Sequence, residues 1–253
     1  MQNLYLRYIA RPLLISSLLL SSGLAVASGL QVSPISLSLQ ARENASGLTL
    51  SNSGNDKVQA QVRVYQWSQD SEGEQLTPSR GLLASPPMIE IDPGDRQLIR
   101  IIRAKAPPQG TGAVEDAYRV LVNEIPIKSD NQKTGLQFAL SYSLPVFVQP
   151  VGVTKTSPQL QWSTHLQPDG KEIKLRVSNH GNGHAQLAGL SFTDTAGKST
   201  VINPGLLGYV LPGATMNWTL NVAPSVLTSG GKFKVMMNGT QTTPDVKMDT
   251  SIR

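Results

Sequence analysis

After residue 27 the chain shows almost no helical periodicity. Apolar and polar residues instead alternate with a period of two, in short segments separated by turn residues. Such alternation places one side-chain row on each face of a strand, and short strands at close spacing build sandwiches. Strands are predicted near 30–39, 46–52, 58–67, 87–91, 96–103, 117–125 and 136–148. Turn chemistry separates them. Asn52-Ser-Gly-Asn55 follows the second, and Asp92-Pro-Gly-Asp95 follows the fourth, its proline presetting one dihedral and its glycine releasing the next. Strands of that number in about 120 residues match one immunoglobulin-like sandwich.

A second series follows Pro150-Val-Gly152 and Ser157-Pro158, near 159–165, 172–179, 185–193, 199–203, 214–222 and 231–239. Its turns are Pro168-Asp-Gly170, Asn179-His-Gly-Asn-Gly183, Thr195-Ala-Gly197 and Pro212-Gly213. The chain therefore reads as all-β, with two immunoglobulin-like β-sandwich domains in tandem over 28–152 and 153–253. No close repeat relates the two.

The first 27 residues are an address rather than part of the fold. Arg7 and Arg11 give a positive start, Leu13 to Leu20 a short apolar run, and Ala25-Val-Ala27 a small-x-small cleavage site. Removing them leaves 20 basic against 17 acidic residues, a charge of +3. No Lys/Arg block with interleaved aromatics occurs, which argues against nucleic acid as a partner. No later segment is long and apolar enough to span a bilayer, so no membrane insertion of the mature chain is expected. The absence of cysteine excludes thiol catalysis, disulfide scaffolds and thiolate zinc sites. A secreted chain that does not depend on oxidation fits a bacterial periplasm.

Little else suggests chemistry. His180 and His184 have i,i+4 spacing, but two glycines and two asparagines make their segment a hairpin turn rather than a helix. Two ligands without a third are not a metal site. Glu90/Asp92 and Glu115/Asp116 are carboxylate pairs without a catalytic motif around them, and no nucleotide-binding motif is present. Neither an enzyme, a metal nor a cofactor is expected.

The informative segment runs from Leu136 to Pro150. Leu136, Phe138, Leu140, Tyr142, Leu144, Val146 and Val148 form one alternating apolar row, longer than a typical strand of about 5–6 residues. Pro145 lacks an amide hydrogen and marks an edge strand or a bulge. Either the row fills its own domain's core, or part of it is offered from an edge to another protein by strand addition.

Four stretches in order resemble the periplasmic pilus chaperones, the PapD-like immunoglobulin-fold proteins of the chaperone–usher pathway. They are Gln31-Val-Ser-Pro-Ile35; Pro86-Pro-Met-Ile-Glu-Ile-Asp-Pro-Gly94 with Leu98-Ile-Arg100; Tyr118-Arg-Val-Leu-Val-Asn-Glu-Ile-Pro126; and Leu136 to Pro150. The resemblance implies a chaperone that caps pilus (fimbrial) subunits by donor-strand complementation and delivers them to an outer-membrane usher. It makes Leu136, Phe138, Leu140, Tyr142 and Leu144 the subunit-binding donor strand. The family's usual pair of basic residues for the subunit's C-terminal carboxylate falls on Ser38 and Pro145 here, a departure similar to the archaic (alternate) branch. Arg119 is then the candidate anchor, with an ion pair to Glu115 or Asp116 as its alternative role. Arg100 is expected to be structural. Glu115 matches a position that pairs across the domain interface, but Gln149 replaces its arginine partner. The competing reading is a secreted two-domain adhesin or carbohydrate-binding module, which usually displays tryptophan or tyrosine on a ligand face; Trp67, Trp162 and Trp218 fall on three separate predicted strands, with no sign of clustering.

Overall fold

The structure, a computed structural model, describes residues 29–126, 139–228 and 230–249. Its first ten strands are β1 (Leu30–Ser33), β2 (Leu37–Leu39), β3 (Ala45–Asn52), β4 (Val58–Asp70), β5 (Gly73–Pro78), β6 (Leu82–Ser85), β7 (Met88–Ile91), β8 (Arg96–Arg103), β9 (Asp116–Ile125) and β10 (Ser141–Val148). They form two sheets packed face to face. One has the order β1-β3-β8-β6; the other runs β2-β10-β9-β4-β5, with β7 also pairing β4. Leu48, Leu50, Ile99 and Ile101 from the first sheet meet Val62, Val120, Val122 and Val146 from the second in a dry core. These are the alternate residues of each strand, as a pleated ribbon requires.

The single strand predicted over 30–39 is two strands. β1 pairs with β3 in one sheet, and β2 pairs in parallel with the end of β10 in the other. Between them Pro34 has no amide to carry a ladder, and Ile35 swings out into solvent. The hairpin of β4 and β5 was not foreseen past residue 67. β5 is mostly exposed and shows no apolar alternation; its ladder to β4, closed by Gly73 at positive φ, holds it. β6, at four residues, was also too short to read.

The second sandwich contains β11 (Leu160–Leu166), β12 (Ile173–Asn179), β13 (Ala185–Asp194), β14 (Ser199–Val210), β15 (Thr215–Leu220), one helical turn α1 (Pro224–Thr228), β16 (Gly231–Met237), β17 (Thr240–Thr242) and β18 (Val246–Asp249). Its sheets are ordered β15-β12-β11-β18 and β14-β13-β16-β17. β14 continues seven residues beyond the predicted 203, because register shifts opposite Leu187 to Leu190 carry it past Pro204 and Gly205. β17 and β18 were not predicted.

Both sandwiches use the same corner. Asn52 is buried; its amide donates to the carbonyls of Asp56 and Ile91, and its oxygen accepts from the Gly54 N–H. Asn179 donates to Gly183 and Val210 and accepts from Gly181 and Gln159. Sequence reading saw two turns; each is a side chain closing a loop over a strand end.

Candidate interaction site

β10 is paired along its whole length with β9, from Ser141 opposite Asn123 to Val148 opposite Asp116. On its other side β2 covers only Val146 to Val148. Among the described residues the outer edge of β10 from Ser141 to Pro145 therefore carries no strand. Pro145 lies on this open part. A bare edge presents unpaired backbone groups and is a template for another strand.

The apolar row divides along this strand. Val146 and Val148 lie in the first core, and Leu144 is also buried there. Leu140 and Tyr142 are half-buried against that core; the Tyr142 hydroxyl donates to the Leu30 carbonyl at 2.6 Å. Leu140 is positioned by the β9 end: its N–H donates to the Glu124 carboxylate and its carbonyl accepts from the Glu124 N–H. Leu136 and Phe138 lie outside the described residues. Phe147, on the opposite face, belongs to a different cluster.

That cluster joins the two sandwiches. Trp67 of β4, Ala117 of β9 and Phe147 of β10 pack into the core that continues through Tyr209 of β14. Phe147 stacks flat on His184, with centroids 3.5 Å apart and planes at 3°. Trp67 meets Tyr209 edge to face at 5.3 Å. Gln69 bridges to the backbone of the second domain, donating to the Tyr209 carbonyl and accepting from the Leu211 N–H. The glycine-rich segment is a turn, as its sequence implies, and it aims the His184 ring across the interface. A histidine in a glycine-rich turn carried no signal of that contact.

Glu115 is buried at the same junction. The backbone N–H of His184 donates to it at 2.8 Å, the His184 Nδ1 lies at the same distance, and the Thr156 hydroxyl donates to its other oxygen. Burial pushes its carboxyl pKa up most strongly, yet the His184 and Thr156 contacts outweigh it and hold the group below the usual glutamate range. The cross-domain pair thus exists with His184 in place of an arginine at residue 149.

Arg119 stands opposite Pro145 in the β9–β10 register and opposite Tyr65 of β4. Its guanidinium lies 3.7 Å from the Trp67 ring centroid and 5.2 Å from that of Tyr209. The alternative pairing with Glu115 or Asp116 does not occur: Asp116 is paired with Lys105 at 3.5 Å, and Arg119 meets Glu74 of β5 at 3.4 Å. Burial presses the arginine below its usual pKa, while Glu74 and Tyr209 act against that. Arg100 is exposed on β8, in the other sheet. Trp67 and Trp162 are buried, and Trp218 packs against the second core, so the tryptophans make no ligand-binding face. Among the described residues no group of three His, Asp or Glu side chains could hold a metal.

Residues 29–154 match the family described as pili and flagellar-assembly chaperone, PapD N-terminal domain. No curated protein matches the chain. Among solved structures it is similar to the CsuC–CsuE chaperone–tip adhesion subunit pre-assembly complex from archaic chaperone–usher Csu pili of Acinetobacter baumannii. That likeness has 23% identity and a TM-score of 0.67 and covers 87% of this chain and 99% of that one. It is also similar to the E. coli chaperone DraB, at 18% identity and TM-score 0.57, over 87% of this chain and 97% of that one. The Salmonella enterica SafA pilin in complex with the SafB chaperone matches at 19% identity and TM-score 0.57, over 88% and 96%. At such identities the likeness establishes the two-sandwich fold.

Proposed function

The chain belongs to the PapD-like pilus-assembly chaperones, and from that premise we propose that the open edge of β10 is where it receives a pilus subunit. It is a periplasmic chaperone of the chaperone–usher pathway and not an enzyme. Its first domain, 28–152, lends a strand; the second, 153–253, backs it. The donor strand is the row Leu136, Phe138, Leu140, Tyr142 and Leu144, set into the open core of an incomplete subunit. Each such side chain contributes roughly 1.5–3 kcal/mol when fully buried. An incoming subunit strand later displaces it at the outer-membrane usher. The archaic branch is favoured by Ser38 and Pro145 at the usual anchoring places. Delivery to the periplasm follows cleavage after Ala27, supported by Arg7, Arg11 and the apolar run behind them.

The observation that carries this reading is the bare edge from Ser141 to Pro145, with half-buried Leu140 and Tyr142 beside it. An added strand running parallel with β10, as β2 does, would end beside Pro145. Arg119 is opposite that residue on β9, one strand further in, so its backbone would lie two strand spacings, roughly 9.6 Å, from the added strand, a gap its long side chain can bridge. A chain end carries a carboxylate, and arginine holds one in two parallel bonds.

The test is periplasmic co-expression with a cognate pilus subunit. Leu140→Arg should abolish recovery of soluble subunit while leaving the free chaperone folded. Undiminished recovery would remove the donor-strand reading. A self-sufficient adhesin would show no dependence on this residue.

A further inference from the structure

We propose that Glu74 is an internal stand-in for the partner's terminal carboxylate, holding Arg119 in the free chaperone and yielding it when a chain end arrives. The inference rests on the reading of Arg119 as anchor. Arg119 is only 9% exposed, and aromatic rings cover its guanidinium. A guanidinium so placed cannot be left without an acid at small cost. Yet its one acidic contact among the described residues is poor. Nη2 reaches a single Glu74 oxygen at 3.4 Å, and Nε has no hydrogen-bond partner among the described residues. A well-made arginine–carboxylate pair uses two bonds of about 2.7–2.9 Å. Glu74 itself is 42% exposed, on the outermost strand of the sheet.

These features suit an exchangeable counter-ion. Glu74 neutralises the buried cation but leaves donors unused, and release returns it to water at little cost. A carboxylate that bonds two N–H groups takes its place without creating a buried charge. Glu74 therefore competes with the partner, and its removal strengthens carboxylate binding. Partly exposed ion pairs are worth little, so the competition amounts to roughly a two- to five-fold difference in affinity.

The experiment uses the full mature chain and two probes: N-acetylglycine, the smallest peptide C-terminus, and its primary amide. Sodium chloride at equal ionic strength serves as control. The readout is the NMR signals of the Arg119 Nε–H and the Trp67 indole N–H, in wild type, Glu74→Gln and Arg119→Lys. The acid should shift both signals in wild type and the amide should not. Glu74→Gln should reach the same shift at about two- to five-fold lower concentration, and Arg119→Lys should weaken the response at the indole. If acid and amide act alike, or neither acts, the anchor reading fails and this inference with it. If the acid acts through Arg119 but Glu74→Gln leaves the concentration unchanged or raises it, the anchor stands and Glu74 is no stand-in.

Discussion

At the scale of single residues, polar side chains in the interior hold the two sandwiches in register. Glu115 is the most consequential. Its folded pKa lies below the unfolded value, so its contribution is complete above the ordinary carboxylate range and is lost as pH falls through the folded value. Urea midpoints measured from about pH 7 down to about pH 3 should fall in wild type once the pH drops below the ordinary carboxylate range. In Glu115→Gln they should start lower and fall less steeply; parallel curves would show that Glu115 is not the titrating group. Residues of this kind were only partly legible. Glu115 and Arg119 are singled out by the family resemblance, Glu115 through the position it matches and Arg119 through its place beside the expected donor strand. Their partners are distant in sequence: Glu74 lies 45 residues before Arg119, and His184 lies 69 residues after Glu115. No local pattern reports such pairings. Asn52 and Asn179 were legible as turn residues, but not as the buried plugs they are.

Strands were far more legible, because alternation is local and burial follows it. The predicted 58–67, 96–103 and 172–179 reappear nearly in place as β4, β8 and β12. The failures share one cause. β5, β6, β17 and β18 are short or exposed, so partner strands rather than their own side chains define them. β10 shows what a pattern can and cannot say. Thirteen residues of alternation announced an unusual strand. They could not say where along it the core ends. The structure puts Val146 fully inside and Leu140 at the margin. Val146→Ala should therefore lower the free chaperone's stability by roughly 0.5–1.5 kcal/mol or more, as loss of buried methyls does. Leu140→Ala should change it little while weakening the subunit complex. Urea unfolding of the free chain alongside complex recovery checks the contrast; equal loss of stability in both variants would place Leu140 in the core.

As a whole molecule the chaperone is two cores with one apolar seam between them. Without disulfides, this seam and the Glu115 and Gln69 hydrogen bonds across it set the domain angle. Phe147 reaches across from β10, the strand with the open edge, stacking on His184 and touching Trp67 and Tyr209. Phe147→Ala should cost about 3–5 kcal/mol and split thermal unfolding into two transitions. A single unshifted transition by calorimetry would show that the sandwiches are not coupled there. A last consequence follows from the sheet change at Pro34. Because β2 occupies the final three positions of the β10 edge, a strand laid along the rest meets a wall. The slot is closed at one end, so it gauges where a guest chain stops. A guest whose sequence continued past that point would have to bulge away or leave, and the chaperone would sort strands by their termini as well as by their side chains.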